Sequence, residues 1–303
     1  MQEIATGLRF PEGPIALADG SLLVVEVAAG RLTRIAAGNS KQTVAEVGGG
    51  PNGAAMGPDG RCYICNNGGF AWRERDGVLL PSGTAADYTT GSIQAVDLES
   101  GKAETLYTEC SGQQLNGPND IVFDSSGGFW FTDHGHAHGR HRDRGAVYYA
   151  RPDGSMISQA IYPLEMPNGI ALSPDEKTLY VAETVTGRLW AWSIDEPGKI
   201  ARAPRNILGG TGRLILGLGG FQLFDSMAVD TAGNLHIGTV PTGITIISAQ
   251  GQLIEQIPMP EHFATNLCFG GPGMETAFIT LSSTGRVVAM KSSHVGAGTN
   301  FRQ

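Results

Sequence analysis

Short runs in which apolar and polar positions alternate recur along the chain, each closed by Gly, Pro, Asp or Asn. GIALS at Gly169–Ser173, for example, is followed by a PDEK turn and then by LYVAE at Leu179–Glu183. Period-two alternation with β-branched and aromatic residues marks half-buried strands, and two such runs across a tight turn mark a β-hairpin. Further strands are predicted at RLWAWSID from Arg188 and at SIQAVDLES from Ser92. No long segment carries a helical period.

One hairpin phrase occurs six times: PEGPIALADGSLLVVE from Pro11, PNGAAMGPDGRCYICN from Pro51, PNDIVFDSSGGFWFTD from Pro118, PNGIALSPDEKTLYVAE from Pro167, FDSMAVDTAGNLHIGT from Phe224 and TNLCFGGPGMETAFIT from Thr265. The copies are 40 to 67 residues apart, which suits four-stranded blades with variable loops. Self-similarity at this spacing in an all-β chain predicts a six-bladed β-propeller, read as a single domain over residues 1–303. Gln2–Leu8 precedes the first inner strand, and the chain ends soon after the strand-like TGRVVAMKS. The amino-terminal segment is therefore expected to supply the outer strand of the last blade and hide two sheet edges.

Composition fits this picture. Apolar residues at 41% supply a core, and 44 glycines with 16 prolines suit many short strands joined by turns. A formal charge of −8 argues against nucleic acid and anionic membrane as partners, leaving a small-molecule substrate. The chain lacks an apolar run long enough to span a bilayer and a basic-then-apolar amino terminus, so a cytoplasmic location is expected. Cys62 and Cys65 have the spacing of a metal knuckle, but inside the strand RCYICN they point to opposite faces and read as core thiols.

The second position of the six copies reads Glu12, Asn52, Asn119, Asn168, Asp225 and Asn266. In a propeller, residues at the start of each innermost strand gather at one mouth of the central channel, so these oxygen-bearing side chains would converge. Carboxylates and amide carbonyls without cysteine are hard donors suited to calcium, with magnesium or manganese next. A cation between Glu12 and Asp225 would also relieve their repulsion. Asn before Gly is equally an ordinary turn former. Glu12 is no favoured turn residue, and Asp225 precedes Ser226.

The phrases PEGP, GPNDIVFDSSGGFWFTD, PNGIALSPDEKTLYVAE and DSMAVDTAGNL resemble those of the gluconolactonase, senescence-marker-protein and luciferin-regenerating-enzyme superfamily. The resemblance implies a six-bladed propeller holding one divalent ion in its channel, most often calcium, with manganese, zinc, magnesium or iron(II) as alternatives, and a lactone-opening hydrolase. It also implies that Glu12, Asn168 and Asp225 are metal ligands and that Asn119 touches metal or substrate. Such an ion would polarise a lactone carbonyl while Asp225 activates water. Asn52, Asn266, His134 and Phe221 complete the expected substrate contacts.

This chain departs from the family pattern where Gly117 stands in place of an Arg that binds sugar hydroxyls, which points to a substrate less polar than a sugar lactone. RLILGLGGFQLF, residues 213–224, is either an apolar lid that brings Leu214, Leu216, Leu218, Phe221 and Leu223 to the mouth, or an extra strand or core plug. Phe70–Tyr88, containing Trp72, is a second candidate wall. In DHGHAHGRHR, which carries His134, His136, His138 and His141, His134 follows the inner hairpin most closely. There is no GxSxG elbow and no P-loop. Phosphoester hydrolysis, carbon–carbon cleavage, isomerisation or a non-catalytic binding module with a structural ion are the other uses of such a site.

Overall fold

The computed structural model describes residues 1–205 and 210–301. Apart from two 3-10 turns, Pro272–Met274 and Ser282–Thr284, its regular elements are all strands. The innermost strands are Pro11–Ala16, Pro51–Met56, Pro118–Phe123, Pro167–Leu172, Leu223–Val229 and Ala264–Gly270. Each lies beside the next, and the sixth lies beside the first, so six antiparallel sheets close into a propeller around a channel.

Packing between blades explains the apolar alternation. One face of each sheet meets the next blade, giving six inter-blade clusters, and between the second and third blades Tyr63, Cys65, Phe123, Phe129 and Phe131 interlock. Each such fully buried large side chain contributes ~2–3 kcal/mol by leaving water. Cys62 packs toward the first blade and Cys65 toward the third, so they are core thiols on opposite faces.

Gln2–Ala5 pairs antiparallel with Arg286–Lys291 as the outer strand of the sixth blade, ending three residues before the expected Leu8. The seam is also tied at the channel, where Ser282 Oγ donates to the Pro11 carbonyl at 2.6 Å.

The fourth blade departs from the four-stranded expectation. Its third strand, Arg188–Glu196, is long enough to carry two partners: Lys199–Ile200 on its far half and Arg213–Gly217 on its near half. Of the two readings of residues 213–224, the extra strand is the one that holds for Arg213–Gly217. The pairing slips between Leu214 and Leu216, and Leu214 is 48% exposed while Ile215, Leu216 and Leu218 pack on the cluster between the fourth and fifth blades. Leu214 and Leu216 are thus part of a blade edge, and the lid expectation fails for them because the open edge of Arg188–Ala191 takes up their backbone.

Candidate active site

The six inner strands share one irregularity. In each, the pairing slips within the first few residues, and in five of them two residues oppose one on the neighbouring strand: Asn52 and Gly53, Asn119 and Asp120, Asn168 and Gly169, Asp225 and Ser226, and Thr265 and Asn266. In the first blade the slip falls between Glu12 and Ile15. Such two-for-one bulges bend a strand and re-aim its side chains. They build two rows around the channel. The row nearer the mouth holds Glu12, Asn52, Asn119, Asn168, Asp225 and Thr265, and the deeper row holds Gly13, Gly53, Asp120, Gly169, Ser226 and Asn266.

The glycines of the deeper row are set by proximity of neighbouring blades. A Cβ on Gly53 would lie 2.4 Å from the Asn119 carbonyl oxygen, and one on Gly169 2.6 Å from that of Asp225. Gly13 adds a left-handed φ of 51°. Asn52-Gly53 and Asn168-Gly169 therefore report close passage of strands around the ring, not a turn.

Register corrects one member of the expected column. Thr265 stands in the row of Glu12, and Asn266 stands one residue deeper, in the row of Asp120. Identical hydrogen bonds mark the equivalence: Asp120 N donates to Thr132 Oγ1 (3.1 Å) and Ile121 N to Asp120 Oδ1 (3.0 Å), as Asn266 N does to Thr280 Oγ1 (3.0 Å) and Leu267 N to Asn266 Oδ1 (2.7 Å). The sixth copy, like the fifth, lacks the proline that aligns the first four, so its slip is invisible in the sequence.

Asp120 is the residue that sequence reasoning missed. Its signal was an acidic residue in a row otherwise occupied by glycine in three of the blades. It is buried, accepts Ile170 N at 3.3 Å, and is bonded by the Ser226 side chain. Burial, and after the local hydrogen bonds the charge of Glu12, push its pKa up to about 7. Burial likewise pushes Glu12 up to about 7 against hydrogen bonds from Thr265, Asn266, Gly13 and Ser282. Asp225 is raised well above the usual carboxylate range, by burial first and then by the charges of Glu12 and Asp120. Three carboxyl groups thus share one channel, each pushed toward its neutral form, and a cation among them would favour their ionised forms.

The amides fit that demand. Asn119 Oδ1 is buried without a hydrogen-bond partner, a free acceptor in the same row as Glu12 and Asp225. Asn168 donates through Nδ2 to Thr184 Oγ1 (3.2 Å) and is hydrogen-bonded to Asp225, which positions the pair together. Asn52 is buried in the same row. Below the rows the channel widens into a cavity of about 200 Å³, lined by Asp120, Asn266 and the strand interiors and closed at its far end by Ala297–Asn300.

At the mouth, the chain between Asn66 and Ser92 forms a hairpin, Phe70–Arg75 with Val78–Thr84. Trp72 packs on Phe10 at 5.0 Å, Leu79 joins Phe10 and Val27, and Val78–Thr84 reaches the Ser282–Thr284 turn of the sixth blade. The hairpin therefore leaves the second blade, passes over the first and touches the sixth.

His134 sits beside this mouth, with its backbone N–H on the Gly117 carbonyl and Nδ1 against the Gly135 carbonyl (3.0 Å). Burial lowers its pKa to about 4, so it is neutral at pH 7. The more deeply held histidine is His136. It lies between Tyr88 and Phe70, with Nε2 on the Asn67 carbonyl (2.7 Å) and Nδ1 on Thr84 Oγ1 (3.1 Å), anchoring the hairpin's base. His138 pairs with Asp143 at 2.9 Å, and His141 is exposed. Phe221, at 73% exposed, stands on the loop after Arg213–Gly217 and is not covered as a pocket wall would be.

Fold and channel together define a class: a six-bladed propeller that gathers carboxylates and amide oxygens where its inner strands begin. The chain belongs to the family described as the SMP-30/Gluconolactonase/LRE-like region, whose model matches residues 10–283. It is 31% identical over 258 residues to Lactonase drp35 of Staphylococcus haemolyticus, covering 84% of this chain and 70% of that protein. It is 26% identical over 313 residues to the Gluconolactonase of Zymomonas mobilis, covering 93% and 79%. Among solved structures, regucalcin of Agrobacterium tumefaciens, a calcium-binding protein, superposes with a TM-score of 0.77 at 17% identity over 100% of this chain and 97% of that one. No helix among the described residues is long and apolar enough to cross a membrane.

Proposed function

We propose that this protein is a hydrolase that opens a lactone, at a divalent ion held in the channel by Glu12, Asn168 and Asp225 with Asn119 beside them. The observation that carries the metal is the buried, unpartnered Asn119 Oδ1 in a channel with three carboxyl groups pushed toward their neutral forms. The donors are oxygens, so calcium is the first choice, followed by magnesium or manganese. Lewis-acid stabilisation of the charge developing on the carbonyl oxygen is the chemistry such an ion supplies when bound.

Asp225 takes a proton from the attacking water, because it is a carboxylate in the row nearer the mouth and Asn168 holds it in place by a hydrogen bond. Water oxygen bonds to the carbonyl carbon, the ring C–O bond breaks, and the proton returns to the leaving alkoxide to give the hydroxy acid. Asn168 orients Asp225, and Asn119 and Asn52 orient the substrate. Asn266, one row deeper, holds Glu12. The substrate is an apolar or alkyl-substituted ring. Gly117 offers no side chain for sugar hydroxyls and its Cβ direction is already within 3.3 Å of the Gly135 backbone, while Phe70, Trp72 and Tyr88 line the hairpin side.

The test is hydrolysis of a lactone panel, from sugar acids to alkyl-substituted rings, by chelator-treated protein returned to single metals. Restored turnover on the less polar rings, reduced about 100- to 1000-fold in Asp225→Asn with metal still bound, is the expected result. Full activity in that variant would remove Asp225 as the base. Turnover that needs no metal would remove the ion.

A further inference from the structure

A second cluster of metal-binding side chains lies away from the channel, at the interface of the fifth and sixth blades. His236 Nε2 and His294 Nδ1 approach the same oxygen, Asp230 Oδ2, at 3.2 and 2.8 Å, and the three candidate ligand atoms lie within 4.8 Å of one another. The rings stand edge to face, 79° apart with centroids at 4.9 Å, so their nitrogens converge instead of stacking.

We propose that Asp230, His236 and His294 form a site for a borderline transition-metal dication of the zinc class, separate from the channel. Two imidazoles and one carboxylate suit zinc and its neighbours and are poor ligands for calcium, whereas the channel oxygens have the opposite preference.

The surroundings are those of a built site. Asp230 Oδ1 is fixed by the backbone N–H groups of Ala232 (2.9 Å) and Asn234 (2.8 Å), and Asn234 Nδ2 donates to Oδ2 at 2.8 Å. Partners of this kind orient a ligating carboxylate. His236 is held edge-on by Phe269 at 5.0 Å. Asp230 and His236 are buried, and His294 is the access side. Both histidines also wall a cavity of about 250 Å³ that includes Glu255 and Ser292, leaving room for a water or one of these oxygens as fourth ligand.

The ligands come from three segments: the turn after Leu223–Val229, the strand Leu235–Val240 and the tail beyond Lys291. That tail continues through Val295 and Ala297, whose backbone bonds Thr231 and Val229, to the residues that close the far end of the channel. An ion here would therefore staple the channel's floor to the fifth blade.

The experiment is cobalt and zinc titration of the full chain with calcium in excess to saturate the oxygen site, read by the visible spectrum of cobalt and by thermal midpoint. One ion per chain is expected, with a cobalt band typical of four or five coordination and a zinc-induced rise in midpoint. His294→Gln, a change at a partly exposed position, is expected to weaken uptake at least tenfold and abolish the rise. His262→Gln, at an exposed histidine elsewhere, is expected to change neither. No uptake under excess calcium, or equal uptake by His294→Gln, would overturn the site. His236→Gln is expected to abolish uptake, and should that variant fail to fold, the His294 variant alone decides.

Discussion

Asp120 and Glu12 each carry a folded-state pKa near 7 because burial disfavours their charge. A carboxyl group raised in this way binds its proton in the folded state where the unfolded chain has released it, so its stabilising effect is lost as pH rises from about 4.5 to about 7. Burial lowers the pKa of His134 and His236 and gives a slope of the opposite sign, so the clean measurement is a difference. In metal-free protein, the thermal midpoint of Glu12→Gln relative to the parent is expected to gain about 5 °C or more from pH 5 to pH 8. Parallel curves would mean that Glu12 is not held protonated. Asp120→Asn keeps an acceptor for Ile121 N but removes one carboxylate from the channel, so if the channel holds calcium as proposed, its affinity is expected to fall about tenfold by calorimetry. Glu12 and Asp225 stood out in the sequence because they put carboxylates into a column otherwise filled by Asn, and the fold brings both, with Asn168, into the row nearer the mouth. Asp120 and the true row of Asn266 were not legible, because a two-for-one bulge leaves no mark in the order of residues.

Among the elements, the hairpin Phe70–Thr84 is the one whose removal should separate catalysis from folding. It interrupts the second blade between Cys62–Asn66 and Ser92–Val96, which pair with each other independently of it. Its hold on the ring is a small cluster of Phe10, Val27, Leu79, Phe70 and Trp72, the exposed Arg9–Glu74 ion pair, Thr84 and Phe70 on His136, and the approach of Val78–Thr84 to the Ser282–Thr284 turn. Joining Gly69 to Ala85 by a short glycine linker is therefore expected to leave the sheet content by circular dichroism unchanged. KM for alkyl lactones should rise about tenfold, with a smaller effect on sugar lactones. An unchanged KM would place the substrate away from the hairpin. The length of Phe70–Tyr88 already marked it as an extension that could wall the mouth. Residues 213–224 misled in part, since an apolar run reads alike whether it covers a pocket or an open strand edge. What decided it was the length of Arg188–Glu196, which leaves four residues of edge for Arg213–Gly217 to fill.

For the whole molecule the critical joint is between the ends of the chain, because the sixth sheet is completed only by Gln2–Ala5. The pairing Gln2–Ala289, Glu3–Val288 and Ala5–Val287 covers the outer edge of Arg286–Lys291, and Ala5 and Leu8 are buried against Leu22, Val24 and Ile35 of the first blade. Removing residues 1–5 deletes a few ladder hydrogen bonds and the burial of Ile4 and Ala5, a cost of about 2–4 kcal/mol. At this chain length that corresponds to a midpoint lowered by about 5–10 °C. Because Ser282, at the start of the turn after Thr276–Leu281, also bonds Pro11 and Glu12, the loosened seam is expected to reach the channel. Calcium affinity should fall with stability in the truncated chain, although none of the deleted residues is in the ligand rows. Adding a synthetic peptide of residues 1–8 should recover both together if the seam transmits the effect. Recovery of stability without recovery of calcium binding would show that the ring closes the fold and leaves the site untouched.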